Sequence, residues 1–108
     1  MPGKDGSIAK RVVEMFIGRI KPLGDITYKK MFGGYGIFES GTMFALVPKD
    51  GGIYLKSGQA NLARFEKASA DKHGRMPYYQ IPEAVYIDDT QLLEWAREAI
   101  EVSKVEKK

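Results

Sequence analysis

The chain has 108 residues, of which 44% are hydrophobic, and this is enough for one domain with a single core. It contains no cysteine, so disulfides, thiol catalysis and cysteine-ligated zinc are excluded. Its formal net charge of +3 is small for a nucleic-acid-binding protein, and no apolar run approaches the roughly 20 residues that span a bilayer. Residues 1–5 lack the apolar centre of a signal peptide, so we expect a cytoplasmic protein.

The first predicted element is an amphipathic helix from about residue 7 to 21. Ser7 is a suitable N-cap, and Pro22 and Gly24 end the helix. Residues 1–6 are polar and are expected to form a loose end. The apolar stripe that identifies the helix recurs every three or four residues: Ile8, Val12, Met15, Phe16 and Ile20.

An antiparallel strand meander is predicted next. Its strands are short, aromatic and β-branched stretches at residues 26–32, 35–39, 42–47 and 52–56. The turns between them are too short to hold crossover helices, so neighbouring strands should pair antiparallel. Simple alternation places one apolar set on one face: Phe44, Leu46, Ile53 and Leu55. A second apolar set falls on the other face: Met43, Ala45, Val47 and Tyr54. Because both faces are apolar, the pattern favours coverage of the second face as well, for example by another subunit.

The remaining sequence predicts a middle helix, one more strand and a C-terminal helix. Residues 57–69 return to helical spacing, residues 70–75 form a loop, and residues 76–80 form a strand that Pro77 and Pro82 restrict to the sheet edge. Asp88, Asp89 and Thr90 cap the last helix, with a capping-box variant through Asp88 and Gln91. Residues 104–108 are expected to be a second loose end.

These elements predict a two-layer α+β fold in which an antiparallel meander of about five strands packs against N-terminal, middle and C-terminal helices. The whole chain, residues 1–108, is predicted to be one domain.

A glycine-rich segment is the first candidate site. Lys29 and Lys30 precede Gly33, Gly34, Tyr35 and Gly36, and backbone amides of such a segment together with the lysines could bind an anion. A dinucleotide site would require the glycines to lead into a helix, whereas here they lead into a strand. The favoured interpretation is therefore a tight strand junction where side chains do not fit, with Phe32 and Tyr35 packed around the glycines.

No catalytic, metal-binding or cofactor-binding residues are predicted, and no cofactor is expected. His73 is the only histidine and is interpreted as a solvated loop residue, because zinc needs several ligands. Asp88 and Asp89 are interpreted as helix caps. The many aromatic residues are assigned first to the core, second to a subunit interface and third to a nucleic-acid platform. A nucleic-acid site would use basic side chains to contact phosphates: Lys10, Arg11, Lys29, Lys30, Arg64 and Arg75.

Five ordered blocks resemble the N-terminal domain of the TfoX (Sxy) family. They lie at residues 30–38, 43–47, 53–56, 76–82 and 92–96, and the resemblance extends over roughly residues 8–103. The resemblance implies a two-layer α+β fold related in shape to type III secretion chaperones and YjbR-like proteins, which often dimerise through the sheet or a helix. It also implies a link to the regulation of bacterial competence genes. Full-length members carry a second, C-terminal helical domain, and the family pattern supplies no catalytic residues.

The sequence as a whole therefore predicts a non-enzymatic regulatory or protein-interaction domain that forms a homodimer and binds a further, unidentified protein. Two alternatives stay open: a nucleic-acid-associated transcription regulator and a small-anion-binding module.

Overall fold

A five-stranded antiparallel sheet forms one layer of the protein, and helices form the other. The computed structural model describes residues 7–31 and 33–105. The helices are α1 (Ser7–Ile20), α2 (Leu62–Lys67), α3 (Glu83–Tyr86) and α4 (Asp89–Val105), and a 3-10 turn (Lys21–Leu23) follows α1. The strands are β1 (Ile26–Met31), β2 (Gly34–Glu39), β3 (Thr42–Val47), β4 (Tyr54–Lys56) and β5 (Tyr78–Gln80). The strand order is β1-β2-β3-β4-β5, so the predicted meander and the α+β class are confirmed.

All four helices lie on one side of the sheet. Helix α1 packs against β1 and β2, α4 packs against β3 and β4, and the two helices touch each other. Their fully buried side chains meet those of the central strands in one core, which includes Phe16, Leu92, Ile37, Phe44 and Leu55. Three rings close the core beside α2: Phe65 stacks on Tyr79 at 5.2 Å between centroids and meets Trp95 edge-on at 5.3 Å. No helix among the described residues is both long and apolar enough to cross a membrane.

A β-bulge in β3 changes which side chains face the helices. Ile37 pairs with Ala45, but the next residue of β2, Phe38, pairs with Met43, so Phe44 is an extra residue in β3. As a result Phe44 and Ala45 are both fully buried. The predicted face assignment is therefore wrong: the helix-covered face receives Ala45, Val47, Ile53 and Leu55. The opposite face receives Met43, Leu46 and Tyr54.

The apolar stripe of α1 also differs from the predicted one. The side chains that enter the core are Ala9, Val13, Phe16 and Ile20. Ile8 and Met15 instead remain more than half exposed. The helix carries apolar residues around more than half of its circumference, and the sequence alone does not show which part faces the sheet.

Helix α2 is shorter than the predicted segment because a side chain organises the turn before it. Asn61 is buried; its Oδ1 accepts the Gly58 amide at 2.8 Å, and its Nδ2 donates to the Lys56 carbonyl at 3.1 Å. The helix ends in a Schellman motif, in which the Ala70 amide donates to Phe65 and Ser69 has φ +56°. Helix α3 was not predicted from the sequence, whereas the position of β5 at the sheet edge is confirmed.

Both ends of α4 are held in place. At the N-terminus the Gln91 amide donates to Asp88 Oδ1 at 3.0 Å, which confirms Asp88 as a cap and lowers its pKa, whereas Asp89 and Thr90 lie inside the helix. At the other end, α4 continues to Val105, so Lys104 belongs to the helix and its ammonium group pairs with the buried Glu39. The predicted loose end at residues 104–108 is therefore wrong for Lys104 and Val105, which are helical. Residues 1–6 and 106–108 lie outside the described residues, as does the side chain of Ser7.

Candidate functional site

A different structural feature explains the presence of each glycine in the candidate anion segment. Gly33 has φ +80° in the turn between β1 and β2, and a Cβ there would meet no atom within 4 Å. A Cβ on Gly34 would overlap the Val47 carbonyl oxygen and lie 2.8 Å from Cα of Pro48. A Cβ on Gly36 would lie 3.0 Å from the sulfur atoms of Met31 and Met43.

The strand-junction interpretation therefore fits Gly34 and Gly36, while Gly33 is present for its backbone conformation. The ring of Tyr35 does not pack around the glycines as expected. It meets Tyr28 edge-on at 5.7 Å on the helix side of the sheet, and methionine sulfurs occupy the space above Gly36. Phe32 lies outside the described residues.

The two lysines of the segment lie on the edge strand β1, and both are exposed. Lys29 pairs with Gly36 and Lys30 with Tyr35, so the adjacent side chains leave the strand on opposite faces of the sheet. Lysines on an edge strand protect its unpaired backbone groups from pairing with another chain. The anion site remains a prediction.

The basic residues suggested for phosphate contact are distributed over several elements. Lys10 and Arg11 lie on α1, Lys29 and Lys30 on β1, Arg64 on α2, and Arg75 in the loop before β5. The Arg64 guanidinium pairs with Glu94 at 3.3 Å and Glu98 at 3.1 Å, and it stacks on Trp95 at 5.1 Å. Its charge is thus engaged within the fold, and nucleic-acid binding remains a prediction.

The side of the sheet opposite the helices is the first candidate interaction surface, and we call it the open face. Its centre is apolar and is formed by Met31, Phe38 and Met43, which are half-buried, and by Leu46, which is buried. Tyr54, Lys56 and Tyr78 continue it across β4 and β5, and Lys29 lies at its β1 edge. No described helix covers this surface.

Two aromatic rings of the open face, those of Tyr54 and Tyr78, are packed against protein groups. Tyr54 lies 4.9 Å from the ring of His73, and the Lys56 ammonium lies 5.6 Å from the ring of Tyr78. Burial raises the pKa of Tyr78, whose side chain is almost covered; burial and then the charges of Asp50 and Asp71 raise that of Tyr54. A stacking platform for nucleotide bases needs free ring faces, so this arrangement favours packing roles for Tyr54 and Tyr78. His73, interpreted as a solvated residue, is half-buried.

A second surface, which the sequence reasoning missed, is a cleft beside α1. It has a volume of about 500 Å³ and lies between α1, the β3–β4 loop, the α2–β5 loop and α3; we call it the α1–α3 cleft. Its apolar wall includes Val12, Ile53, Ile81, Pro82 and Tyr86. Among the described residues that line it, the charged ones are acidic, Asp71 and Glu83.

Three exposed apolar residues are neighbours of residues that line this cleft. Ile8 and Met15 are 56% and 57% exposed, and they flank Val12 at one-turn spacing along α1. Ile87, which is 73% exposed, follows Tyr86 at the cleft wall. The signal in the sequence was the excess of apolar residues on α1, because Ile8, Val12 and Met15 form a second stripe beside the core stripe.

Comparison with known proteins identifies the family. Residues 19–103 match the model of the TfoX N-terminal domain family, and the chain belongs to this family. A similar curated protein is the DNA transformation protein TfoX1 of Aliivibrio fischeri (strain ATCC 700601 / ES114), which is 33% identical over 102 residues. The match covers 87% of this chain and 48% of that protein, so the chain spans about half the length of its relative. The resemblance seen in the five sequence blocks is confirmed.

Proposed function

We propose that this chain is a non-enzymatic regulatory domain of the competence-regulator type that acts by binding other protein chains, and that it forms a homodimer through the open face. Family membership and the name of the relative, a DNA transformation protein, support the regulatory assignment. The observation that carries the dimer is the apolar face of the sheet that no described helix covers.

The composition of the open face suits a protein interface. Met43 and Leu46 lie at its centre on β3, and cationic side chains lie towards its edges, Lys29 on β1 and Lys56 on β4. An apolar centre with a polar rim is the usual arrangement of a protein–protein interface. The methionine side chains are flexible and polarizable, so they adapt to an opposing surface.

The titratable groups with shifted pKa values support a structural rather than a catalytic assignment. The pKa of Glu39 is lowered by hydrogen bonds from Lys104 and then from Ser40, and that of Asp88 by its helix-cap bonds. The pKa of Arg19 is raised chiefly by its hydrogen bond to Asp89. Each shifted charge thus has a partner that connects two elements of the fold or caps a helix.

Sedimentation velocity on the wild type and two matched variants tests the proposal. Met43→Lys places a charge at the centre of the open face, and the long stem of lysine can still cover the neighbouring apolar atoms. In a two-fold interface the two introduced charges lie close together, so this variant should lose self-association. Met15→Lys makes the same change on α1 and is the control.

We expect the average mass of the wild type to rise above 12.1 kDa with concentration, and Met15→Lys to behave in the same way. Met43→Lys should remain at 12.1 kDa while keeping the far-UV circular dichroism spectrum of the wild type. A wild-type mass of 12.1 kDa at every concentration would rule out the dimer, and equal association of both variants would place its interface elsewhere.

A further inference from the structure

We propose that the α1–α3 cleft is a docking groove for an amphipathic, positively charged segment of a protein partner. This inference goes beyond the homodimer, because it concerns a different surface and a partner of different chemistry.

The apolar surface of the groove extends beyond the cavity itself. Val12 and Tyr86 line the cavity; Ile8 and Met15 lie one turn from Val12 on α1, and Ile87 directly follows Tyr86 in the chain. Ile8, Met15 and Ile87 are each more than half exposed although they are large and apolar. A groove that continues into exposed apolar side chains matches a peptide segment, whose side chains enter at several points, better than a compact small molecule.

The charge of the groove selects a basic occupant. Asp71 and Glu83 are exposed at its lining, and within residues 7–31 and 33–105 neither forms an ion pair. Asp50, whose Oδ1 accepts the amide of the lining residue Gly52 at 3.0 Å, adds a third carboxylate nearby. Arg19 lies 4.7 Å from the ring of Tyr86, but its guanidinium is paired with Asp89 at 2.7 Å.

This acidic groove stands out on a chain whose net charge is +3. Carboxylates repel phosphates, so the groove does not suit nucleic acid or an anionic membrane surface. A second copy is also disfavoured there, because a two-fold contact between two such grooves would bring the carboxylates of both copies together. The complementary ligand is a segment with apolar residues three and four positions apart and lysine or arginine beside them.

The experiment uses the full chain and three labelled synthetic peptides of equal length. The first contains leucine, lysine and alanine in an amphipathic helical pattern; the second has the same composition in a shuffled order; the third replaces each lysine by glutamate. Binding is measured by fluorescence anisotropy at low salt, and the contact surface is located by amide chemical-shift changes.

We expect the amphipathic lysine peptide to bind most tightly and to shift the amides of Val12, Gly52, Ile81 and Tyr86. The double variant Asp71→Asn/Glu83→Gln should weaken its affinity by about two- to thirtyfold, the range for two exposed ion pairs. The control Glu14→Gln/Asp25→Asn also removes two negative charges, but from exposed positions outside the groove, and it should leave the affinity unchanged.

Three outcomes would overturn the proposal: equal binding of the amphipathic and shuffled peptides, equal weakening by the test and control variants, or chemical-shift changes confined to the open face. The methionine variants distinguish this inference from the homodimer. Met15→Lys should weaken peptide binding and leave self-association intact, and Met43→Lys should do the reverse. If one proposal fails, the other can therefore still be tested.

Discussion

Replacing each glycine of the β1–β2 segment by alanine should distinguish three physical reasons for which a glycine is required. Gly34 is required because backbone atoms of β3 occupy the space of a side chain. Gly36 lies beneath two methionine sulfurs, which can move. Gly33 is required for its positive φ, with free space around it. The three substitutions add the same methyl group, so differences in stability report the surroundings of each site.

Gly34→Ala should be the most destabilising change. The new Cβ would lie 2.8 Å from Cα of Pro48, about 0.7 Å inside the ~3.5 Å of a favourable carbon–carbon contact, and closer still to the Val47 carbonyl oxygen. Both obstructing groups are backbone, so relief requires β2 and β3 to separate. Overpacking of this kind costs about 1–3 kcal/mol or more, and we expect a loss of at least about 2 kcal/mol in the free energy of unfolding.

The other two glycines should be replaced at lower cost. At Gly36 the nearest atoms are the sulfurs of Met31 and Met43, both at 3.0 Å and both near the ends of flexible side chains. They can shift by a few tenths of an ångström, so we expect Gly36→Ala to cost less than about 1 kcal/mol. Gly33→Ala should cost about 1–2 kcal/mol, the penalty of a left-handed conformation for a residue with a Cβ.

Urea unfolding followed by the fluorescence of Trp95 measures these differences. The expected order of destabilisation is Gly34→Ala first, then Gly33→Ala, then Gly36→Ala. For Gly34→Ala the loss corresponds to a fall in melting temperature of roughly 10 °C for a domain of this size. A cost at Gly36 equal to that at Gly34 would refute the reasoning, because it would mean that the methionines are held as rigidly as the backbone.

Three further predictions concern the rest of the fold. Ser69→Gly should raise the free energy of unfolding by up to about 1 kcal/mol, because Ser69 has φ +56° at the end of α2; a loss of stability would contradict the Schellman motif. The pKa of Glu39 is lowered by its bonds from Lys104 and then Ser40, so its contribution is present above the ordinary carboxyl pKa and lost as the pH falls through the folded pKa. Glu39→Gln should therefore destabilise the protein at pH 7 more than at acid pH, and an equal effect in urea unfolding at both would refute this. Phe65→Ala should cost about 3–5 kcal/mol by the same assay, and a cost below 1 kcal/mol would contradict its place in the core.

The order of the elements could be predicted from local signals. Short strands separated by glycine turns determined the meander, and the prolines around Met76–Gln80 correctly indicated an edge strand, since proline cannot donate to a sheet ladder. Asp88 was correctly identified as a cap because an acidic residue before an apolar stripe satisfies free amides of the helix. These features depend on neighbours in the sequence, so the sequence reports them directly.

Which face of each helix or strand is buried could not be predicted in the same way. The bulge at Phe44 places two consecutive residues in the core, and alternation resumes after it in a shifted phase, so Ala45 and Val47 face the helices. In α1 two adjacent apolar stripes compete, and the sheet covers the one that contains Val13 and Phe16. The α1–α3 cleft was missed because it is formed by segments that are far apart in the sequence.

Intermolecular nuclear Overhauser effects between methionine methyl groups test the proposed dimer most directly. The sample mixes isotope-labelled and unlabelled copies of the 108-residue chain, so an isotope-filtered experiment records only contacts between copies. The proposed interface predicts contacts from the methyl groups of Met31 and Met43 on the open face. Intermolecular contacts from Met15 alone, or none in a sample whose mass is that of a monomer, would contradict the account.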